Sequence, residues 1–274
     1  MRLRRILFNV ESSLMSLSIV SWNVNSIKAR AEHVVRFLES NTPDLLLVQE
    51  LKGENLPEIS DQYAAHFVGQ KAYNGVAIFY KKQAPSPEII LDCLPGDDED
   101  NQARYLEVAW RGIRVIDIYL PNGNPVSSDS EKFPYKINWM KRLIHRISEL
   151  RSAQIPFLIG GDFNVIPDDI DCYDPKAWEG DALFHPETHK LWRSLLNCGL
   201  VDAFRVLHPH EGEAYSFWDY QAGAWQRNNG IRIDHFLLSP QIADRLLSCK
   251  IDKEPRSWDK ASDHTPILLE ISES

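Results

Sequence analysis

The chain has 274 residues, 43% of them hydrophobic, with a formal charge of −9 and a pI near 5.5. That length supports one or two domains with a substantial core. The acidic balance excludes a protein that grips nucleic acid through a basic field over its whole surface, but not one with a local basic groove or a bound cation that reverses the local sign.

In chain order, the first 16 residues are basic and then mildly apolar. The apolar run is short and broken by Asn9 and Glu11, and no small-residue cleavage site follows it. Residues 1–16 are therefore expected to form a loosely ordered extension, with Met15 as an alternative start. "LSIVSW" (17–22) predicts a strand. "ARAEHVVRFLESN" (29–41) places Val34, Val35, Phe37 and Leu38 at helical spacing. "PDLLLVQE" (43–50) reads as a buried strand. "GVAIFYKK" (75–82), "RYLEVAW" (104–110) and "IRVIDIYL" (113–120) read as strands, the last two joined by a tight turn at Arg111-Gly112. "GDDEDN" (96–101) reads as a solvated loop. A long helix is expected over 131–152, with Trp139, Leu143, Ile147 and Leu150 on one face. "PFLIGGDFN" (156–164) is the next strand, and 187–199 a helix ended by Gly199. "YSFWDY" (215–220), "IRIDHFLLS" (231–239) and "DHTPILLEIS" (263–272) complete the strand set. Strands and helices mixed in this way predict an α/β protein with sheets covered by helices. With no linker and no repeat, residues 17–274 are expected to form a single domain. No stretch is long enough to cross a membrane. Cys93, Cys172, Cys198 and Cys249 form no CxxC, which fits free thiols in a reducing cytosol rather than a disulfide framework or a zinc site.

The polar residues fall where the strands end. The first strand runs into Asn23 and Asn25, the second into Glu50, and "IDIYLPN" into Tyr119 and Asn122. "FLIGGDFN" ends in Asp162 and Asn164, which share a side if the strand persists. Asp234 lies inside an apolar run, and Asp263 and His264 open the last strand. Singly, each reads as a turn or strand-end residue. Asp234 is the exception, because a carboxylate in an apolar strand needs a buried hydrogen bond. If the strand ends share one edge, these groups meet in one pocket. Carboxylates gathered there repel unless a cation joins them. A ligand set leaning to oxygen, with one histidine and no cysteine, favours Mg²⁺ or Mn²⁺ over zinc. Metal, carboxylate, amide and an oriented histidine together suit hydrolysis of a phosphate ester.

"WNVNSIKAR", "LLLVQELK", "NGVAIFYKK", "IYLPNGNP", "GGDFNVIPDDIDCYDP", "GLVDAFRVLHP", "YSFWDY", "GIRIDHFLLS" and "KASDHTPILLEI" resemble the exonuclease III family of apurinic/apyrimidinic endonucleases, within the endonuclease/exonuclease/phosphatase superfamily. The resemblance runs from about Leu17 to the C-terminus. It implies a four-layer α/β sandwich, two central mixed β-sheets flanked by helices, and one or two Mg²⁺ or Mn²⁺ ions. By matching motif it implies Glu50 as main metal ligand, helped by Asp263 and by Asn23 or Asn25. Asn25 is the weaker ligand, being aspartate in some relatives. Asp162 is implied to orient or deprotonate the attacking water, and Asn164 to donate to the phosphate. His264, braced by Asp234, is implied to contact the scissile phosphate, and Tyr119 to touch it as donor or proton source. A second ion would lie near Asp162, Asn164 and His264. Arg104, Asn122 and Lys132 match positions near the DNA backbone. Phe217 and Trp218 match the apolar wall that takes an extruded baseless sugar.

The expected activity is a metal-dependent DNA-repair phosphodiesterase of the cytoplasm. It would act as a monomer, incising 5′ to abasic sites and removing nucleotides or blocking groups from 3′ ends of double-stranded DNA. Two alternatives stay open: a superfamily phosphatase acting on a phospholipid or sugar phosphate, which the acidic pI suits, and a DNA-binding relative without activity, which predicts gaps in the constellation.

Overall fold

The computed structural model of the protein describes residues 16–273; the expected N-terminal extension lies almost wholly outside them. The strands are β1 (Ser16–Asn23), β2 (Leu45–Gln49), β3 (Tyr63–Val68), β4 (Val76–Lys81), β5 (Glu88–Leu91), β6 (Tyr105–Trp110), β7 (Ile113–Tyr119), β8 (Phe157–Asp162), β9 (Val201–Asp202), β10 (Asp234–Leu238), β11 (Leu246–Ile251) and β12 (Ile267–Ser272). The helices are α1 (Ala31–Asn41), α2 (Lys132–Ser152), α3 (Pro186–Asn197), α4 (Ala203–Leu207) and α5 (Pro240–Ala243). Two six-stranded sheets form, ordered β11-β12-β1-β2-β4-β3 and β5-β6-β7-β8-β10-β9.

Strand alternation builds the layers. Along β2, Leu45 and Leu47 point between the sheets, while Leu46 and Val48 point outward to Val34, Phe37 and Leu38 of α1. Along β8, Leu158 points between the sheets, while Phe157 and Ile159 face Trp139, Leu143 and Ile147 of α2 and Leu195 of α3. Each central strand is buried on both faces, which is why these runs are apolar throughout rather than alternating. The result is helix, sheet, sheet, helix, as the four-layer expectation has it.

Two glycines let the sheets close. A Cβ on Gly160 would lie 2.4 Å from the Phe236 ring, and one on Gly161, at φ +148, only 2.0 Å from the Ile118 carbonyl oxygen. The Arg111-Gly112 turn between β6 and β7 has φ of 47° and 78°, the paired positive values of a tight hairpin.

One expected strand needs correction, one expected loop is half-buried at a single residue, and four strands were not expected. "YSFWDY" is not a strand: Phe217 makes only isolated bridges to Ile231 and His264. The acidic loop 96–101 is solvated except at Asp100, which accepts from Arg142 at 2.7 Å and from Tyr135 at 3.0 Å. The sequence reading also missed β3, β5, β9 and β11. No helix among the described residues is long and apolar enough to cross a membrane.

Candidate active site

Strand register, not chance, gathers the polar residues. In the second sheet Tyr119 pairs with Asp162 across parallel β7 and β8, and Asp162 pairs with Asp234 across antiparallel β8 and β10. Three candidate side chains thus stand in one row at one edge. In the first sheet Asn23 pairs with Gln49 across parallel β1 and β2, so Glu50 follows directly at the same edge. His264 is held there by the Ser262 hydroxyl, which accepts from the His264 N–H at 3.2 Å and donates to the Asn23 carbonyl at 2.8 Å. The two edges face each other across a cavity of about 310 Å³.

Asn23 ties the sheets together. Its Nδ2 donates to Glu50 Oε1 and to Asp162 Oδ2, each at 2.9 Å, while its Oδ1 accepts from the Asn25 N–H. Asp162 Oδ1 accepts from the Asn164 N–H at 2.8 Å. The strand has already ended at Asp162, and Asn164 takes φ of 47°. A left-handed turn, not strand alternation, brings these two side chains together. Asn164 Nδ2 donates to the Leu120 carbonyl, and its Oδ1 accepts from Asn122 Nδ2 at 3.1 Å.

His264 Nδ1 lies 2.8 Å from Asp234 Oδ2, and its Nε2 lies 3.7 Å from Asp162 Oδ2. Burial opposes a charge on His264, but Asp234 and Asp162 outweigh it and raise its pKa to about 10. Asp234 Oδ1 is buried without a hydrogen-bond partner among the described residues, so the imidazolium is its principal compensation. Burial lifts the Asp162 carboxyl to about 7, against the pull of His264. Burial likewise opposes ionisation of Glu50, yet Lys52, the Asn23 amide and His264 hold its carboxyl below the ordinary value. Burial and the Glu50 and Asp162 charges push the Tyr119 phenol well above its usual range, leaving it a donor at neutral pH.

The residues present fit a divalent cation. Glu50, Asp162 and His264 offer ligand atoms all within 4.8 Å of one another. Four acidic residues, Glu50, Asp162, Asp219 and Asp263, line the cavity, and His264 is the one basic residue in that lining among the described residues. Lys52 Nζ sits 2.8 Å from Glu50 Oε2 as a stand-in cation. Oxygen donors in excess of positive charge are what a hard divalent ion needs.

Most of the residues singled out in the sequence converge here. Asp263 and Phe217 line the cavity, and Asn25 Nδ2 donates to Asp263 Oδ1 at 2.9 Å. Arg104 and Lys132 line an adjoining groove of about 540 Å³ that shares Glu50, Tyr119 and Asn122 with the cavity. Arg104 also lies 4.7 Å over the Tyr119 ring. Trp218 is the correction: it is fully buried against Tyr215 and Trp225, with its Nε1 donating to Asn228. Phe217, Trp178, Leu183 and Ile233 form the apolar wall instead. Sequence reasoning missed Trp178, the last residue of a single 3-10 turn over Pro175–Trp178, and Leu183 in the irregular segment after it, both too short to show a period. It also missed Ser216, whose hydroxyl accepts from the Ile233 and Asp234 N–H groups at 3.1 Å. Lys52, two residues after Glu50, and Asn124 and Asp219, inside "IYLPNGNP" and "YSFWDY", also border the site and are not among the candidates read from the sequence.

Comparison with known proteins agrees with this fold and identifies the family. Exodeoxyribonuclease III of Haemophilus influenzae is 33% identical over 270 residues, covering 93% of this chain and all of that protein. The DNA repair nuclease APEX1 of Danio rerio is 29% identical over 264 residues, covering 93% and 82%. Among solved structures, the 3′ phosphatase NExo from Neisseria bound to a product DNA hairpin superposes with a TM-score of 0.88 at 35% identity, covering 94% of this chain and all of that one. An AP endonuclease from Archaeoglobus fulgidus gives 0.86 at 35% identity, with the same coverage. Residues 20–264 match the Endonuclease/Exonuclease/phosphatase family, and with a bacterial relative 33% identical over its full length, the chain belongs to that family.

Proposed function

We propose that this chain is a divalent-metal-dependent phosphodiesterase of DNA repair. It incises duplex DNA 5′ to abasic sites and clears nucleotides or blocking groups from 3′ ends. The observation that carries this reading is the Glu50, Asp162 and His264 cluster beside an apolar wall. An inactive relative would lack part of the constellation, and each member is present.

A bound Mg²⁺ or Mn²⁺ would be held by Glu50, with Asp263 and Asn25 in support, and would stabilise charge on the phosphate. A second ion, if bound, would take Asp162 and Asn164, and His264 only once its imidazolium has given up the Nε2 proton. Asp162 accepts the proton of the attacking water, a role its raised pKa suits. Asn23 fixes its carboxylate. As the P–O3′ bond breaks, the departing oxygen takes up a proton, for which Tyr119 is the candidate donor. His264, kept cationic by Asp234, donates to a non-bridging phosphate oxygen, as does Asn164. Arg104, Lys132 and Asn122 grip the backbone from the adjoining groove. Phe217 and Trp178 bound a space that accepts a baseless sugar, whose extrusion forfeits little stacking.

All members of the cluster come from one chain, which supports action as a monomer, with residues 17–274 as one catalytic domain. The free cysteines support a cytoplasmic setting. The test is an abasic-site duplex oligonucleotide incubated with purified protein and Mg²⁺ or EDTA. Incision 5′ to the lesion only with metal is expected. Intact DNA in both, with phosphate released from an inositol phosphate, would overturn the reading in favour of the phosphatase alternative.

A further inference from the structure

Lys52 is placed unlike the other cations of the groove. Glu50 and Lys52 have φ of 58° and 53°. These two left-handed residues, with the Lys52 N–H donating to the Asn74 carbonyl at 2.8 Å, fold the lysine back over the carboxylate it follows. Its Nζ lies 2.8 Å from Glu50 Oε2 and also donates to Asn25 Oδ1. Two oxygens assigned to the divalent ion are therefore engaged by one ammonium. The side chain is still one-third exposed and borders the groove shared with Arg104 and Lys132. An ammonium and a divalent ion cannot both contact Glu50 Oε2 and Asn25 Oδ1 without close like-charge repulsion. The flexible four-carbon stem lets the ammonium turn outward, where a phosphodiester is the natural acceptor.

We propose that Lys52 is a tethered competitor for the metal site, displaced from Glu50 and Asn25 as the ion enters and transferred to the DNA backbone in the groove. Metal entry thereby adds a phosphate contact, and DNA binding favours metal by drawing the lysine away. This rests on the reading of Glu50 as metal ligand.

The experiment is Mn²⁺ binding to the DNA-free protein, followed by electron paramagnetic resonance, for wild type, Lys52→Gln and Lys52→Arg. Lys52→Gln is expected to bind Mn²⁺ about tenfold more tightly, the scale of a charge-assisted hydrogen bond removed from the competing state. Lys52→Arg keeps the charge and is expected to stay within about twofold to threefold of wild type, as charge rather than shape sets the competition. Equal or weaker binding by Lys52→Gln overturns the proposal, as does an equal shift in both variants, which would mark a packing role. Failure of wild type to bind Mn²⁺ overturns the metal reading and the proposal with it. The transfer step is read in an Asp162→Asn background, which blocks cleavage. There the slope of log affinity for duplex DNA against log salt should steepen from EDTA to Mn²⁺. With Lys52 present it should steepen by about one unit more than with the added Lys52→Gln change, the signature of one phosphate contact. Equal steepening overturns the transfer.

Discussion

Asp162 and Asn164 stand at the centre of the candidate site, and in the proposed mechanism the carboxylate and the amide answer different needs of the reaction. Replacing Asp162 with Asn removes the proposed proton acceptor and almost no surface. Turnover should fall roughly 10³-fold, within the range for loss of a general base, while affinity for an abasic duplex is retained. Near-normal rates in single-turnover incision assays would reassign the base. Glu50→Gln should raise the Mg²⁺ concentration at half-maximal rate by roughly tenfold or more, since even outer ligands are worth that much; an unchanged titration would remove Glu50 from the metal. The Asp234 prediction concerns charge directly. Asp234 is the leading carboxylate that raises the His264 pKa to about 10 against burial. In Asp234→Asn, burial acts with less opposition, so the imidazole should titrate well below its wild-type position. Its ring ¹⁵N shifts at about pH 8 in EDTA, roughly 1.5 units above the ordinary histidine value, should then report a neutral ring. A ring still cationic at that pH would mean Asp162 alone suffices.

At the scale of elements, the site depends on two strand ends being held at a fixed separation. Lys136 on α2 does part of this: its buried Nζ donates to the Asn122 carbonyl at 3.1 Å and the Asn164 carbonyl at 2.6 Å, joining the loops after β7 and β8. Burial lowers its pKa to about 7, against the attraction of Asp162 and Asp181. The sign follows from proton counts. Between about pH 7 and about 10.5 the unfolded lysine binds a proton that the folded one has lost, so wild type gains stability as pH rises. Compared with Lys136→Met, wild type should gain on the order of 1 kcal/mol per pH unit in that window, measured by urea unfolding. A constant difference would place the ordinary lysine pKa in the folded protein. The "GG" of β8 serves the same spacing, and Gly161→Ala should cost on the order of 3 kcal/mol or more, the upper range for a buried clash with backbone. The strands that carry the site were readable because both-face burial makes them continuously apolar, and the hairpin at Arg111-Gly112 was readable from its turn chemistry. "YSFWDY" misled because aromatic residues favour strands, whereas Phe217 and Trp218 serve two separate walls. β11 was missed because an edge strand needs only one buried face. Arg232, fully buried between Asp171 and Asp202 at 2.7 and 2.9 Å, could not be read from the chain because its partners lie 61 and 30 residues away.

Across the whole molecule, a net charge of −9 is compatible with the proposed DNA-binding groove because the cations are local. Lys52, Arg104 and Lys132 border one groove, while the exposed Asp97, Asp98 and Glu99 are not part of its lining. Few phosphates are neutralised, so affinity should depend on salt only modestly. Lys132→Gln should reduce the slope of log affinity against log salt by about one and leave single-turnover incision of saturated complex unchanged. A lost rate at saturation would move Lys132 into the chemistry. The central claim is that residues from both sheets converge on one divalent ion at their shared edge. Anomalous scattering at the manganese edge from a Mn²⁺-soaked crystal tests it most directly. The account predicts a peak about 2.1–2.3 Å from a Glu50 carboxylate oxygen, near typical metal–oxygen distances, inside the cavity bordered by Asp162, Asp263 and His264. A fully ordered site with no peak there, or a peak bound only by residues outside that cavity, would contradict it.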